Sequence, residues 1–383
     1  CFGVCVGRQP FRAVALRHPC SAALRLAARG DKRGRMEQAV VDPSVLPDGP
    51  FPEWGPHRAV WLAWPWDESE WGEALEGAQC TVVAFAKALC EAGEAVEMLV
   101  ADDVARRELA EAGVTPTSGI PQPGQLRLHE TAYGDAWTRD TGPFFLRRGG
   151  QPLALTAAWN GWGGKYMMAG DEQVATTIAG LAGWPTENYP FVLEGGALDF
   201  DGAGTVLTTR ECVLNTNRND GWDEAVATRE IEKLFGVKRV VWIERGLFFD
   251  HTDGHVDNIA RFVAPGRAVA MRASPGDPHA ERLDAIASEL VAALGVENVA
   301  LMPSPGRVEH PYEAGALLPA SYLNFFIARD AVIAPIYGTP NDSAALDALA
   351  GLFPGRRVVG IPANDLLTGG GSLHCISKEE PAR

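Results

Sequence analysis

Hydrophobic and polar positions along the chain alternate between two periods in a recurring order. Residues 143–159, PFFLRRGGQPLALTAAW, form two apolar runs around a Gly-Gly turn, which predicts a hairpin. A stretch with helical spacing follows at 172–183, then a short apolar strand near 188–193. The same order returns as hairpin 194–209, helix 223–235 and strand 239–244, and again as hairpin 257–272, helix 279–294 and strand 298–303. Its last full copy is hairpin 321–336, helix 342–352 and strand 357–362. The chain ends supply the parts of a fifth copy. AVWLAWP (59–65), a helix over 70–92 and a strand over 95–101 lack only a first strand, and SLHCIS (372–377) is a strand to spare. Joining them predicts an α/β protein of five ββαβ modules closed into a ring, an arrangement that leaves no open sheet edge.

Composition narrows the class. The 383 residues are 46% apolar and 22% charged, as in globular proteins. No run approaches the roughly 18 apolar residues of a membrane span, so no membrane partner is expected. The formal net charge is −15. Residues 1–35 carry eight Lys/Arg and one Asp, so the remainder carries −22. An acidic body of this kind argues against nucleic acid and suits a cationic ligand. The Arg- and Ala-rich opening, followed by Met36, reads either as a transit peptide or as a segment upstream of the true start. Residues 1–40 are therefore expected to lie outside the fold as a disordered leader, with 41–383 as one catalytic domain. Seven cysteines without a CxxC pair do not make a disulfide framework or a zinc site, and a reducing cytoplasm fits them best. Cys80 and Cys90, in the helical stretch, are expected to be small buried apolar residues.

The candidate chemistry lies where each module begins. WTRDTGP (137–143), LEGG (193–196), HTDGHVD (251–257), PASYLN (319–324) and GGGSLHC (369–375) occupy equivalent places. In a closed ring such places converge on one axis. Asp140, Glu194, His255 with Asp257, and Cys375 would then share a pocket. A thiol, an imidazole and three carboxylates suit nucleophilic attack on a planar cation, with guanidinium the natural target. Asp140 and Asp257 would grip its nitrogens and Cys375 would attack its carbon. His255 would protonate the departing ammonia and then activate water, with Glu194 orienting it and raising its pKa. Gly370 and Gly371 would let the backbone approach the ligand. Trp137, Trp159, Trp162 and Asp250 are candidates for an aromatic, acidic lining around the ligand's far end. Arg139 is expected to serve a structural ion pair.

Taken together, WTRDTGP, NYPFVLEGGALDFDGAGTVLTT, NTNRN, DGHVDN, LPASYLNF and GGGSLHCIS resemble the agmatine deiminase family, over about residues 48–381. The resemblance implies the five-bladed, pseudo-symmetric α/β propeller (pentein) fold of guanidine-modifying enzymes. It implies hydrolysis of agmatine to N-carbamoylputrescine and ammonia through an amidino-cysteine, in putrescine biosynthesis. It implies no cofactor, no metal, the site roles given above, a small cationic guanidine (agmatine) as partner, and a homodimer. His251, the tail CISKEEP and TTRE depart from the family's usual pattern, which leaves the far-end pocket open. Four other readings stand beside this one. The substrate could be arginine or peptidyl-arginine, or the amidino group could pass to an amine. Asp250, His251, Asp253, His255 and Asp257 could hold a metal, or the ring could be a binding module without chemistry.

Overall fold

The computed structural model describes residues 25–26 and 48–382. The expected leader, residues 1–40, falls almost wholly outside the described residues. Among the described residues there are five sheets, each built on the same plan. A strand pairs antiparallel with the next strand, a helix follows, and a third strand returns parallel to the second. In one sheet these are Phe144–Arg148, Gln151–Ala158, helix Asp171–Ala182 and Thr186–Val192. The next has Asp199–Phe200, Thr205–Thr209, helix Glu224–Phe235 and Arg239–Ile243. The third has Ala260–Ala264, Arg267–Arg272, helix Ala280–Leu294 and Val299–Pro303. The fourth has Phe326–Ile327, Ala331–Ile336, helix Asp342–Leu352 and Arg357–Pro362.

The fifth sheet joins the two ends of the chain. Lys378–Pro381 pairs antiparallel with His57–Ala63, which runs parallel to Val96–Val100 beyond the helix Leu75–Glu91. The expected closure is therefore present, but the closing strand is KEEP rather than SLHCIS. Residues 373–376 form a turn instead. This difference lifts Cys375 out of the ladder and places it just before the strand, as in the other modules. Leu126–Glu130 adds an edge strand that the apolar pattern does not reveal, because LRLHE alternates polar groups into a half-buried face.

Each helix turns one apolar stripe toward its sheet. In Leu75–Glu91 the buried Ala78, Val82, Phe85 and Leu89 repeat at helical spacing and share a core cluster with Val60, Leu62, Val96 and Met98. Asp223 starts the Glu224–Phe235 helix by accepting the Val226 amide at 2.8 Å, and Gly236 ends it at φ 65°. Cys80 and Cys90 are half-buried rather than buried, and Cys80 is disulfide-bonded, so neither is the plain core residue that the helical spacing suggests. Cys90, Cys212 and Cys375 are free thiols. No helix among the described residues is long and apolar enough to cross a membrane.

Candidate active site

A single short turn precedes the antiparallel pair of each sheet, and the candidate residues lie on or beside these turns. They are Thr138–Thr141, Gly195–Ala197, Val256–Asn258, the turn at 322–323 and the turn at 373–376. A turn this short leaves its side chains aimed off the strand end instead of into a sheet face. Contacts run from each turn to the next. The Gly196 amide donates to Asp140 Oδ1 at 2.7 Å, and His255 Nε2 stands 4.0 Å from Glu194 Oε2. Asn324 Nδ2 donates to Asn258 Oδ1 at 2.9 Å and to Cys375 Sγ at 3.0 Å. The Arg139 amide donates to the Cys375 carbonyl at 3.1 Å, which returns the series to its first member.

The structure brings Asp140, Glu194, His255, Asp257 and Cys375 together, all buried. Their spacing is clearest from Gly196. A Cβ there would lie 2.6 Å from His255 Nδ1, 3.0 Å from Asp140 Oδ1 and 3.0 Å from Asp257 Oδ2. Glycine leaves no Cβ to collide with these three ionisable groups, which come from two other modules. His255 Nδ1 is 3.6 Å from Asp140 Oδ2, and Cys375 Sγ is 3.7 Å from Asp257 Oδ2. Among the described residues, neither His255 nitrogen nor Asp257 Oδ1 has a hydrogen-bond partner, although buried groups of this kind are nearly always paired.

Each group is held from behind. Asp140 accepts from Trp162 Nε1 at 2.9 Å as well as from Gly196, so each oxygen keeps a lone pair for another donor. Asp257 Oδ2 is bound to His374 Nδ1 at 2.7 Å, and His374 Nε2 reaches Glu53 Oε2 at 2.8 Å. Glu194 accepts from Arg218 Nε at 2.6 Å. Arg139 pairs with Glu379 at 2.6 Å and Glu53 at 3.3 Å, the structural ion pair expected of it.

Burial sets the protonation states. It raises the Cys375 thiol well above its ordinary range, and the charges of Asp257 and Asp140 add to the effect. It also raises Asp140, reinforced by Asp257 and Glu194 and opposed by His255. Burial pulls the His255 imidazole down, but Asp140 first, then Cys212 and Glu194, raise it well above its usual value. Asp140 is thus the main support of the imidazolium, ahead of the expected Glu194. Asp257 runs the other way: burial opposes ionisation, and His374, His255 and Arg261 together lower it.

A cavity of about 110 Å³ opens onto this cluster, with Asp140, Cys375, Thr252, Trp137, Trp162, Gly370 and Gly371 in its walls. Asp250 and Trp159 are not in those walls. Asp250 accepts from the Thr252 amide at 2.8 Å and so shapes the turn, while Trp159 packs edge-on against Trp162 at 4.7 Å. The glycine run has a packing role of its own. A Cβ on Gly371 would meet the Trp137 ring at 2.6 Å and Cys375 Sγ at 3.1 Å. Gly370, at φ 102°, faces His251 Nδ1 at 2.8 Å from such a Cβ. The carboxylates of DHTDGHVD do not converge. Asp253 binds Lys165 and Arg218, each at 2.6 Å, and Asp257 faces His374.

Several wall residues escape the sequence pattern. Trp71 stacks on Trp137 at 5.6 Å, and both indoles donate to Asp135, at 2.8 and 2.7 Å. Burial raises the Asp135 carboxyl to about 6. Glu70, Tyr166 and His251 complete the outer wall, with His251 stacked on Tyr166 at 5.7 Å. Asn324 was missed because PASYLN offers an amide where the other turns offer ionisable groups. Its equivalent position was the available signal.

A sequence profile of the Porphyromonas-type peptidyl-arginine deiminase family matches residues 50–381. Agmatine deiminase of Ectopseudomonas mendocina is 34% identical over 359 residues, covering 86% of this chain and 94% of that protein. The structure of Enterococcus faecalis agmatine deiminase, described as catalysing its reaction, superimposes with a TM-score of 0.79 at 28% identity. That match covers 89% of this chain and 98% of the other. A Cys-to-Ser variant of C. jejuni agmatine deiminase with substrate bound gives 0.78 at 26% identity, over 88% and 97% of the two chains. A turn-borne cysteine, histidine and carboxylates within one α/β framework, and relatives alike along nearly their whole length, have a single common explanation: the chain belongs to the agmatine deiminase family, within the group that the Porphyromonas-type peptidyl-arginine deiminase profile describes.

Proposed function

We propose that this protein is an agmatine deiminase that hydrolyses agmatine to N-carbamoylputrescine and ammonia through an amidino-cysteine. The observation that carries the reading is the cavity whose walls include Asp140 and Cys375, with Asp257 Oδ2 3.7 Å from Cys375 Sγ and His255 Nδ1 3.6 Å from Asp140 Oδ2. A guanidinium there would complete two buried carboxylates with its N–H donors. Its charge would also offset the carboxylates that hold the Cys375 proton, so ionisation of the thiol would follow binding, with the proton leaving to solvent.

The resting pair is then a neutral Cys375 thiol and a protonated His255. Once formed, the thiolate adds to the guanidinium carbon. The carbon–nitrogen bond breaks, His255 gives its proton to the leaving nitrogen, and ammonia departs. A water molecule then loses a proton to His255 as its oxygen bonds to the same carbon. The carbon–sulfur bond breaks, the electron pair returns to Cys375, and the remaining hydroxyl proton passes to that sulfur, which restores the thiol and leaves the neutral ureido product. Asn324, which donates to Cys375 Sγ at 3.0 Å, would stabilise the thiolate at both ends of the cycle. No step calls for a metal.

The cavity walls favour agmatine over arginine. Glu70, Asp135, Trp71, Trp137 and Tyr166 suit a terminal ammonium, and none of the described wall residues is Lys or Arg to meet an α-carboxylate. The description of the family profile makes peptidyl-arginine the second reading. Ammonia release from agmatine, arginine and a blocked arginine peptide, with Cys375→Ala as control, tests the choice. Preference for agmatine, lost in the variant, supports it; preference for the peptide replaces it. The same reading arranges the five sheets as blades of a pseudo-symmetric propeller, supported by their common strand order and by the turn-to-turn contacts that return to their start. Action in putrescine synthesis follows from the reaction, and we infer the cytoplasm as its place.

A further inference from the structure

His255 faces a second thiol that the proposed reaction does not use. Cys212 lies in the short helix Arg210–Val213 and is wholly buried. Its Sγ is 3.9 Å from Glu194 Oε2, and the same oxygen is 4.0 Å from His255 Nε2. One ligand atom from each of Glu194, Cys212 and His255 lies within 4.8 Å of the others. Arg218 occupies Glu194 Oε1 at 2.6 Å, which leaves Oε2 turned toward the thiol and the imidazole. Both imidazole nitrogens are buried without a hydrogen bond among the described residues. Carboxylate, thiolate and imidazole are the three ligand types that zinc takes in proteins.

We propose that Glu194, Cys212 and His255 form an inhibitory site for a thiophilic divalent cation, of which Zn²⁺ is the type. Tetrahedral zinc with ordinary bond lengths sets such ligand atoms about 3.3–3.6 Å apart. The cluster reaches that spacing by contracting roughly 1 Å at its widest pair. Coordination would displace the proton of the Cys212 thiol and the one on the His255 nitrogen that binds, so two protons are released and affinity rises with pH. Burial, and then the charge of Glu194, raise the Cys212 thiol, which strengthens that dependence. A metal here would hold His255 as a ligand and deny it the proton transfers of the deiminase reaction. The inhibition rests on the reading given above; the binding does not.

Zn²⁺ binding is measured on the Cys375→Ala protein by competition with a chromophoric chelator, and Co²⁺ is added separately to look for a thiolate charge-transfer band. Cys375→Ala excludes the rival pair of Cys375 and His255. About one equivalent of Zn²⁺, with the Co²⁺ band present, is expected. Adding Cys212→Ser to this protein should remove the band and weaken Zn²⁺ at least tenfold, with an unchanged circular dichroism spectrum. Cys212→Ala serves where the serine variant does not fold. In the otherwise native chain, Cys212→Ser should raise the Zn²⁺ concentration that halves ammonia release at least tenfold. Loss of binding on Cys375→Ala alone, or binding indifferent to both Cys212 substitutions, overturns the site. Since binding is read without substrate, failure of the deiminase reading would leave this result standing.

Discussion

Two buried clusters of the same residue types meet at Asp257, and they are opposites. In the first, Glu53 pairs with Arg261 at 3.0 Å, Arg139 at 3.3 Å and His374 at 2.8 Å, while Asp199 pairs with Arg261 at 2.9 Å. In the second, Asp140, Asp257 and Glu194 surround His255, and three buried polar atoms of the group have no protein partner. Ionisation follows the difference. Burial opposes the charge of Glu53, yet Arg261, His374 and Arg139 hold it well below the ordinary range, whereas Asp140 is raised. A carboxylate that already has its cation is architecture; one that lacks it is prepared for a cationic ligand. His374 joins the two clusters, so the rigid one fixes Asp257 against the open one.

The sharpest break of the comparison is Cys375→Ala, which should abolish turnover and leave the thermal unfolding midpoint nearly unchanged. Residual turnover above a few per cent in a steady-state ammonia assay would remove Cys375 as nucleophile. Glu53→Gln strikes the paired cluster and takes from Arg139, Arg261 and His374 the carboxylate charge they share, which should cost about 3–5 kcal/mol in chemical denaturation. The acid limb follows the same group. Because its folded pKa is depressed, its contribution is complete above the unfolded value near 4.5 and is lost as pH falls below it. Unchanged stability in Glu53→Gln would refute the architectural role.

Asp140→Asn acts on the open cluster with the opposite balance. It should remove roughly 2–5 kcal/mol of transition-state stabilisation in kcat/KM. Stability should stay within about 1 kcal/mol of the parent, since the raised carboxyl gains little from its charge in the folded state. Rate and stability falling together would merge the two clusters into one. The pH profile gives a gentler test. Cys375 and His255 are both raised, so kcat/KM should climb as pH rises toward the thiol's ionisation and fall once His255 loses its proton. The smallest effect is expected for Asp250→Asn, a few-fold at most in kcat/KM, because that carboxylate braces the Thr252 turn.

Much of the candidate site could be read from residue order, because repeated modules put equivalent places in the turn before each antiparallel pair, whatever residues fill them. That is why Asp140, Glu194, His255, Asp257 and Cys375 were identifiable across widely spaced segments. Asn324 broke the pattern through its chemistry and not its position. Trp71 and Glu70 come from the start of a helix, where nothing in a 3.6-residue period distinguishes a cavity wall from a core face. Asp250 failed for the opposite reason. A carboxylate beside a motif can cap its own turn as readily as face a ligand, and local hydrogen bonding to Thr252 won.

The sequence by itself determined the α/β class, the repeated order of elements and the set of groups that could meet, since these depend on periodicity, turn residues and the equivalence of modules. Only the tertiary structure decided that the chain closes through Lys378–Pro381, which leaves Cys375 in a turn. It also decided which carboxylates find cations: Arg261 takes Asp199 and Glu53, while among the described residues no guanidinium pairs with Asp140. Pairing is a matter of a few ångströms between segments distant in sequence, and burial multiplies its effect on charge. Neither quantity is written in the order of the residues.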